Sequence, residues 1–281
     1  MKFQSIITLV PLLSPTIAVS VQEVTQQISR RHLSIKSDAK SGRVPWPGGE
    51  VTWCIDNPRD YPDYKVFIDM AASAINLWMK ALGDDTSLEV SPSDNAKPEC
   101  DSDNAGDMLR IRLNNKDNNQ AYVGFTKGNN YMDFDPFRAE SKISLVAKLA
   151  HEFGHVFGLY HEHQDPTTWG ELKINYENLR DWKKFEKNGK KMDHKTASEA
   201  GFSAANLLPY DKIALPGMDS DGRLDWKSIM LYPSENYAKN PKKGALVKAN
   251  GQLIQRNLKP SKKDAKRVCE LYPASNDESD D

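Results

Sequence analysis

Cysteine is scarce: the 281-residue chain has three, Cys54, Cys100 and Cys269. At most one disulfide can form, its pairing stays open among three combinations, and the small domain class framed by several bridges is excluded. An excess of charge is missing too. Thirty-eight Lys and Arg stand against 39 Asp and Glu, a net charge of -1, which removes the electrostatic footprint that nucleic acid or an anionic membrane would call for. There is no Asn-x-Ser/Thr acceptor for N-glycosylation. Beyond the N-terminus no apolar run approaches the roughly 20 residues of a membrane span, so no membrane anchor is expected. With 38% hydrophobic residues the chain can bury a sizeable core, as one catalytic-size domain or two smaller ones.

The single apolar run, Ile6 to Leu13, follows Lys2 and precedes the small residues Ala18 and Ser20. This order is that of a secretory signal, predicted over 1–20 and implying a secreted, extracellular protein. Residues 21–43 are polar and carry Arg30-Arg31 and Arg43, which suits a short removable pro-segment. The main domain is expected over 44–275, and 276–281 reads as an acidic disordered tail.

Within the domain, Glu50–Asp56 reads as a strand after the turn Pro47-Gly48-Gly49. Asp63 is placed to cap a helix with core positions Phe67, Met70, Ala71, Ala74, Trp78 and Leu82, ended by Gly83. Leu109–Leu113 alternates as a half-buried strand, and Ala121–Thr126 and Tyr131–Phe134 are further strands. A second helix runs from Ser141 through Ile143, Val146, Leu149, Ala150 and Phe153 to the turn at Gly158. Residues 166–250 are rich in turn formers. Ser261 and Asp264 form a capping box opening a last helix through Ala265, Val268 and Leu271. Two acidic groups, Asp101-Asp103-Asp107 and Asp219-Asp221-Asp225, do not fit a twelve-residue calcium loop and read as solvated turns.

Four of the six histidines fall between residues 151 and 163. On a helix, His151 and His155 lie one turn apart on one face, so both imidazoles can reach one ion, and zinc is the usual occupant of a nitrogen site. Gly158 reverses the chain and lets His161 approach as a third ligand, leaving coordination open as a catalytic site requires. Glu152 is too close to the first ligand to bind the same ion comfortably, but it is placed to act as general base. His163 breaks the spacing and is expected at the surface or behind the ligands.

The run His151-Glu-Phe-Gly-His155-Val-Phe-Gly158-Leu-Tyr-His161 resembles the metzincin zinc peptidases, and Glu162 after the third His resembles their astacin branch. Ser228-Ile-Met-Leu-Tyr232 resembles the same family's Met-turn. The resemblance extends over most of 44–275 through Val44–Asp56, Ile174–Asn178 and 250–272. It implies Met230 as a structural base beneath the metal, Tyr232 as a fifth ligand that also steadies the oxyanion, and Glu162 as a structural residue meeting the freed N-terminus of the mature chain. It further implies an α+β catalytic domain: a mixed twisted sheet with two long helices in the N-terminal half, a loop-rich C-terminal half, and one Zn2+ per chain in the cleft between them. The implied activity is that of a monomeric secreted endopeptidase acting on proteins or peptides, with Tyr131–Phe134 as the cleft edge that binds extended substrate. A catalytically silent binding protein on the same scaffold is the competing class; the presence of Glu152 separates the two. Three departures are visible: three cysteines where the family has four, Gln164-Asp165-Pro166 in place of a charged run, and no Phe-x-Gly-Asp aspartate switch near Asp38.

Overall fold

Leu109, Ile111 and Leu113 are buried while Arg110 and Arg112 between them are partly exposed, the period of two expected of a strand with one covered face. The computed structural model describes residues 35, 43–61, 63–95, 97–100, 107–210 and 223–274. Five strands make the main sheet: β1 (Glu50–Ile55), β2 (Glu89–Pro92), β3 (Leu109–Leu113), β4 (Gln120–Ala121) and β5 (Tyr131–Phe134). Their order is β2-β1-β3-β5-β4, with β4 antiparallel to β5 and every other pairing parallel, so the sheet is mixed as expected.

The parallel pairing of β1 with β2 needs a crossover, and α1 (Lys65–Leu82) supplies it. Its buried face is Phe67, Met70, Ala71, Ala74, Trp78 and Leu82, the predicted set, and Gly83 closes it with φ of 62°. Asp63 does not cap it. Tyr64 holds the cap position in helical φ/ψ with no side-chain cap, whereas a capping side chain needs an extended residue there. The chain instead enters through a turn in which the Asp63 carbonyl accepts from Val66 N–H at 3.2 Å.

α2 (Lys142–Val156) begins at Ser141, whose hydroxyl accepts from Ser144 N–H. Leu145, Leu149, Phe153 and Val156 face the core, but Ile143 is 67% exposed, contrary to the apolar pattern. It stands two residues before Leu145, about 200° round the helix, and so faces outward. α1 and α2 pack together, with Trp78 Nε1 donating to the Ala150 carbonyl at 2.8 Å. Only Ala121 of the expected strand Ala121–Thr126 is a strand residue; Gly124 turns the chain at φ of 67° and Phe125 bridges to Val44.

The second half is loop-rich, as expected. It holds β6 (Leu172–Ile174) antiparallel to β7 (Leu246–Lys248), the short helices α3 (Trp182–Phe185) and α4 (His194–Glu199), and a separate apolar cluster around Leu179, Phe202, Leu207 and Leu246. α5 (Lys262–Leu271) opens with the Ser261–Asp264 capping box and returns to pack on α1. Cys54 pairs with Cys100, and Cys269 is a free, half-buried thiol against the core. The predicted signal, the tail, Asp38 and the Asp101-Asp103 and Asp219-Asp221 groups lie outside the described residues. Asp107 is exposed, whereas Asp225 is half-buried and accepts from Ser261 Oγ at 2.5 Å. Among the described residues no helix is long and apolar enough to cross a membrane.

Candidate metal centre

His151 and His155 project from the last turns of α2 as the spacing predicts, His155 buried and His151 half-buried. After the helix Gly158 takes φ of 105°, a conformation a side chain would resist; its N–H donates to His155 O and Leu159 N–H to Gly154 O, which folds His161 back toward the helix. The three side chains meet: His161 Nε2 lies 3.0 Å from His155 Nε2 and 3.2 Å from His151 Nε2. Among the described residues these form the one group of three or more candidate ligands lying within 4.8 Å of one another.

The hydrogen bonds on the other ring nitrogens say what the convergence means. His151 Nδ1 is 2.8 Å from Ile229 O, His155 Nδ1 is 2.8 Å from Leu159 O and His161 Nδ1 is 2.8 Å from Gln164 Oε1. Each partner is an acceptor, so each Nδ1 carries the proton and each Nε2 presents a lone pair. The Gln164 orientation is itself determined, because its Nε2 donates to Ala205 O and Leu208 O. Three lone pairs facing one another at about 3 Å repel unless a cation lies between them. With Zn–N bonds near 2.0–2.1 Å, tetrahedral zinc places its nitrogens about 3.3 Å apart, so the residues present fit that ion. Burial pushes His151 and His161 well below the ordinary imidazole range and His155 to about 4, keeping all three in the neutral form a metal requires.

Glu152 faces the cleft beside His151, 6% exposed, with Oε2 buried and unpaired. Burial raises its carboxyl to about 8 in the metal-free site; a zinc ion among the neighbouring histidines would oppose that shift and favour the carboxylate. Tyr232 lines the same cleft; its ring is 4.3 Å from that of His161, its hydroxyl bonds to Tyr237, and burial holds the phenol well above its usual range. Met230 is fully buried beneath α2, and Gly154, between the two helix ligands, makes room for it: a Cβ there would lie 2.4 Å from Met230 Sδ. The cleft measures about 630 Å³, with polar walls that include Arg138, Lys148, Arg180 and Arg256.

Of the two places expected for His163, the structure takes the one behind the ligand positions: it is fully buried, stacks on His161 and Tyr232, and contacts Asn206 O through Nε2. One expectation needs correction. β5 is not the cleft edge, because β3 and β4 flank it; the outer strand on that side is β4, and Asp117 and Asn119 just before it line the cleft. The Glu162 carboxylate, 2% exposed, meets a cation of the chain's own, Arg267, and accepts from Asp225 N–H. Gln164 and Gly154 escaped the sequence reading because their roles arise from contacts across the fold; the departure at Gln164-Asp165-Pro166 was the one visible trace.

The model of the astacin peptidase family matches residues 97–273. The chain is 25% identical to zinc metalloproteinase nas-14 of Caenorhabditis elegans over 62% of its own length and 29% of that protein's, and 25% identical to astacin-like metalloprotease toxin 2 of Loxosceles intermedia over 40% of its length and 45% of the toxin's. It thus spans less than half of either relative. Among solved structures it resembles high choriolytic enzyme 1, a hatching-enzyme zinc protease of Oryzias latipes, at 16% identity with a TM-score of 0.53, covering 85% of this chain and 98% of that one. The match over more than half of the chain includes all three converging histidines, and the chain belongs to the astacin family of peptidases.

Proposed function

We propose that the protein is a secreted zinc endopeptidase that hydrolyses internal peptide bonds of proteins. The observation that carries the reading is the convergence of three Nε2 lone pairs beside a buried, unpaired carboxylate. One zinc ion held by His151, His155 and His161, with Tyr232 as a further ligand, supplies Lewis acidity that polarises a peptide carbonyl and brings the pKa of water toward neutrality. Glu152 takes a proton from the attacking water at Oε2 and returns it to the leaving amine nitrogen. Tyr232, which lines the cleft beside His161, donates to the developing oxyanion. The open side of β4 pairs with extended substrate main chain, which favours cuts inside a chain over cuts at its ends.

The Cys54–Cys100 disulfide supports export, since such bonds persist in oxidising compartments. The pro-segment reading gains from Ile35: it is 3% exposed, its N–H donates to Gly158 O at 2.9 Å, and its side chain packs with Tyr160. The test is incubation of the purified protein with casein and a mixed peptide library, with and without a strong chelator. Internal cuts abolished by the chelator and restored by zinc support the reading; unchanged cutting in metal-free protein, or none with zinc bound, overturns it.

A further inference from the structure

Arg267 lies on α5, is 2% exposed and is not among the residues that line the cleft. Its NH1 group is 2.5 Å from Glu162 Oε2 and 3.7 Å from Asp264 Oδ1, both buried carboxylates. Each carboxylate holds a different piece of the site. Glu162 follows ligand His161, its N–H donates to Met230 O at 3.1 Å, and its Oε1 accepts from Asp225 N–H at 2.6 Å. Asp264 accepts from Ser228 Oγ at 2.6 Å and from Ile229 N–H at 2.8 Å. Ser228 Oγ in turn accepts from Met230 N–H, and Ile229 O is the acceptor that holds His151 Nδ1.

The contacts therefore run from one guanidinium to two of the histidines by two routes, a hydrogen-bonded one through Glu162 to the His161 loop and one that starts with the 3.7 Å ion pair to Asp264 and reaches the turn behind His151. A buried ion pair is by itself weak evidence for stability, because desolvation offsets much of the attraction. Arg267 Nε has no partner, so the guanidinium is not arranged for the most hydrogen bonds. Its arrangement matches a different task, holding two carboxylates together at a fixed separation.

Resting on the zinc reading above, we propose that Arg267 is a positioning residue for the metal site: it clamps Glu162 to Asp264 and so sets the His161 loop against the Ser228–Met230 turn that orients His151. The cation opposite Glu162 is then built into α5, and the ligand geometry does not depend on a chain terminus reaching that carboxylate.

The test compares the full chain with Arg267→Met, Arg267→Lys and the doubly neutral Glu162→Gln/Arg267→Gln, the last included because it leaves fewer unpaired charges buried if the Met variant fails to fold. Zinc dissociation constants come from competition with a chromophoric chelator, and kcat and KM from one library peptide. The expected result is zinc held at least about tenfold more weakly in the Met and double variants, the scale of lost outer-shell support, with kcat reduced, KM nearly unchanged, and partial recovery in Arg267→Lys. A folded Met or double variant with wild-type zinc affinity and kcat, lower only in melting temperature, overturns the proposal and leaves the zinc reading standing. A wild-type chain that takes up no zinc overturns both.

Discussion

Glu152 sits next to a ligand position yet lives in a different environment from the histidines: its carboxylate has one buried oxygen without a partner, whereas each imidazole has its Nδ1 committed. A side chain so placed contributes to chemistry more than to folding. Glu152→Gln is expected to keep the fold and zinc content while losing at least about a hundredfold in kcat, the usual share of a general base; steady-state kinetics beside elemental analysis check it, and Tyr232→Phe should cost less. Gln164 works at one remove. Its carbonyl holds the His161 tautomer, so Gln164→Leu should weaken zinc binding by about 10–100-fold with little change in KM, measured by chelator competition.

At the scale of elements, α2 and the Met230 turn interlock, and Gly154 is where they touch. Alanine is ordinarily the better helix former by about 1 kcal/mol. Here its methyl group would meet Met230 Sδ at 2.4 Å and Trp78 at 3.1 Å, and overpacking costs about 1–3 kcal/mol. Gly154→Ala is therefore expected to lower stability in chemical denaturation, against the propensity trend, and wild-type stability or better would show that the turn yields freely. This contact also shows what sequence could reveal. The buried face of α1, the α2 span, the Ser261–Asp264 cap and the three converging histidines were legible, because each is a short spacing within one element or, for His161, one element and the glycine turn that ends it. The missing cap at Asp63, the outward Ile143 and the short β4 were not, since each depends on what another part of the chain presents. Asp264 reads locally as a helix cap, and only the fold shows the same carboxylate gripping the turn behind His151.

Across the whole molecule, the metal site joins the two halves: His151 and His155 belong to the sheet-and-helix half, whereas the carbonyl that orients His151 comes from Ile229 and the amide that orients His161 is itself held by Ala205 and Leu208. Without a cation three lone pairs converge at about 3 Å, and that repulsion acts between α2 of the main core and the His161 loop, which Gln164 ties to Ala205 and Leu208 of the second apolar cluster. Zinc binds the assembled site and not the unfolded chain with comparable strength, so it stabilises by RT ln(1 + [L]/Kd), about 4 kcal/mol when free zinc is a thousandfold above Kd. Removing the ion is then expected to lower the melting temperature by several degrees, and zinc titrated back should raise it in proportion to the logarithm of its concentration. Hydrogen exchange should locate the loss around the metal site, with amides around 159–165 and 228–232 deprotected while those of β1, β3 and α1 stay slow. Equal melting temperatures with and without metal, or deprotection spread evenly through the main sheet, would show that the ion is a passenger on a site rigid without it.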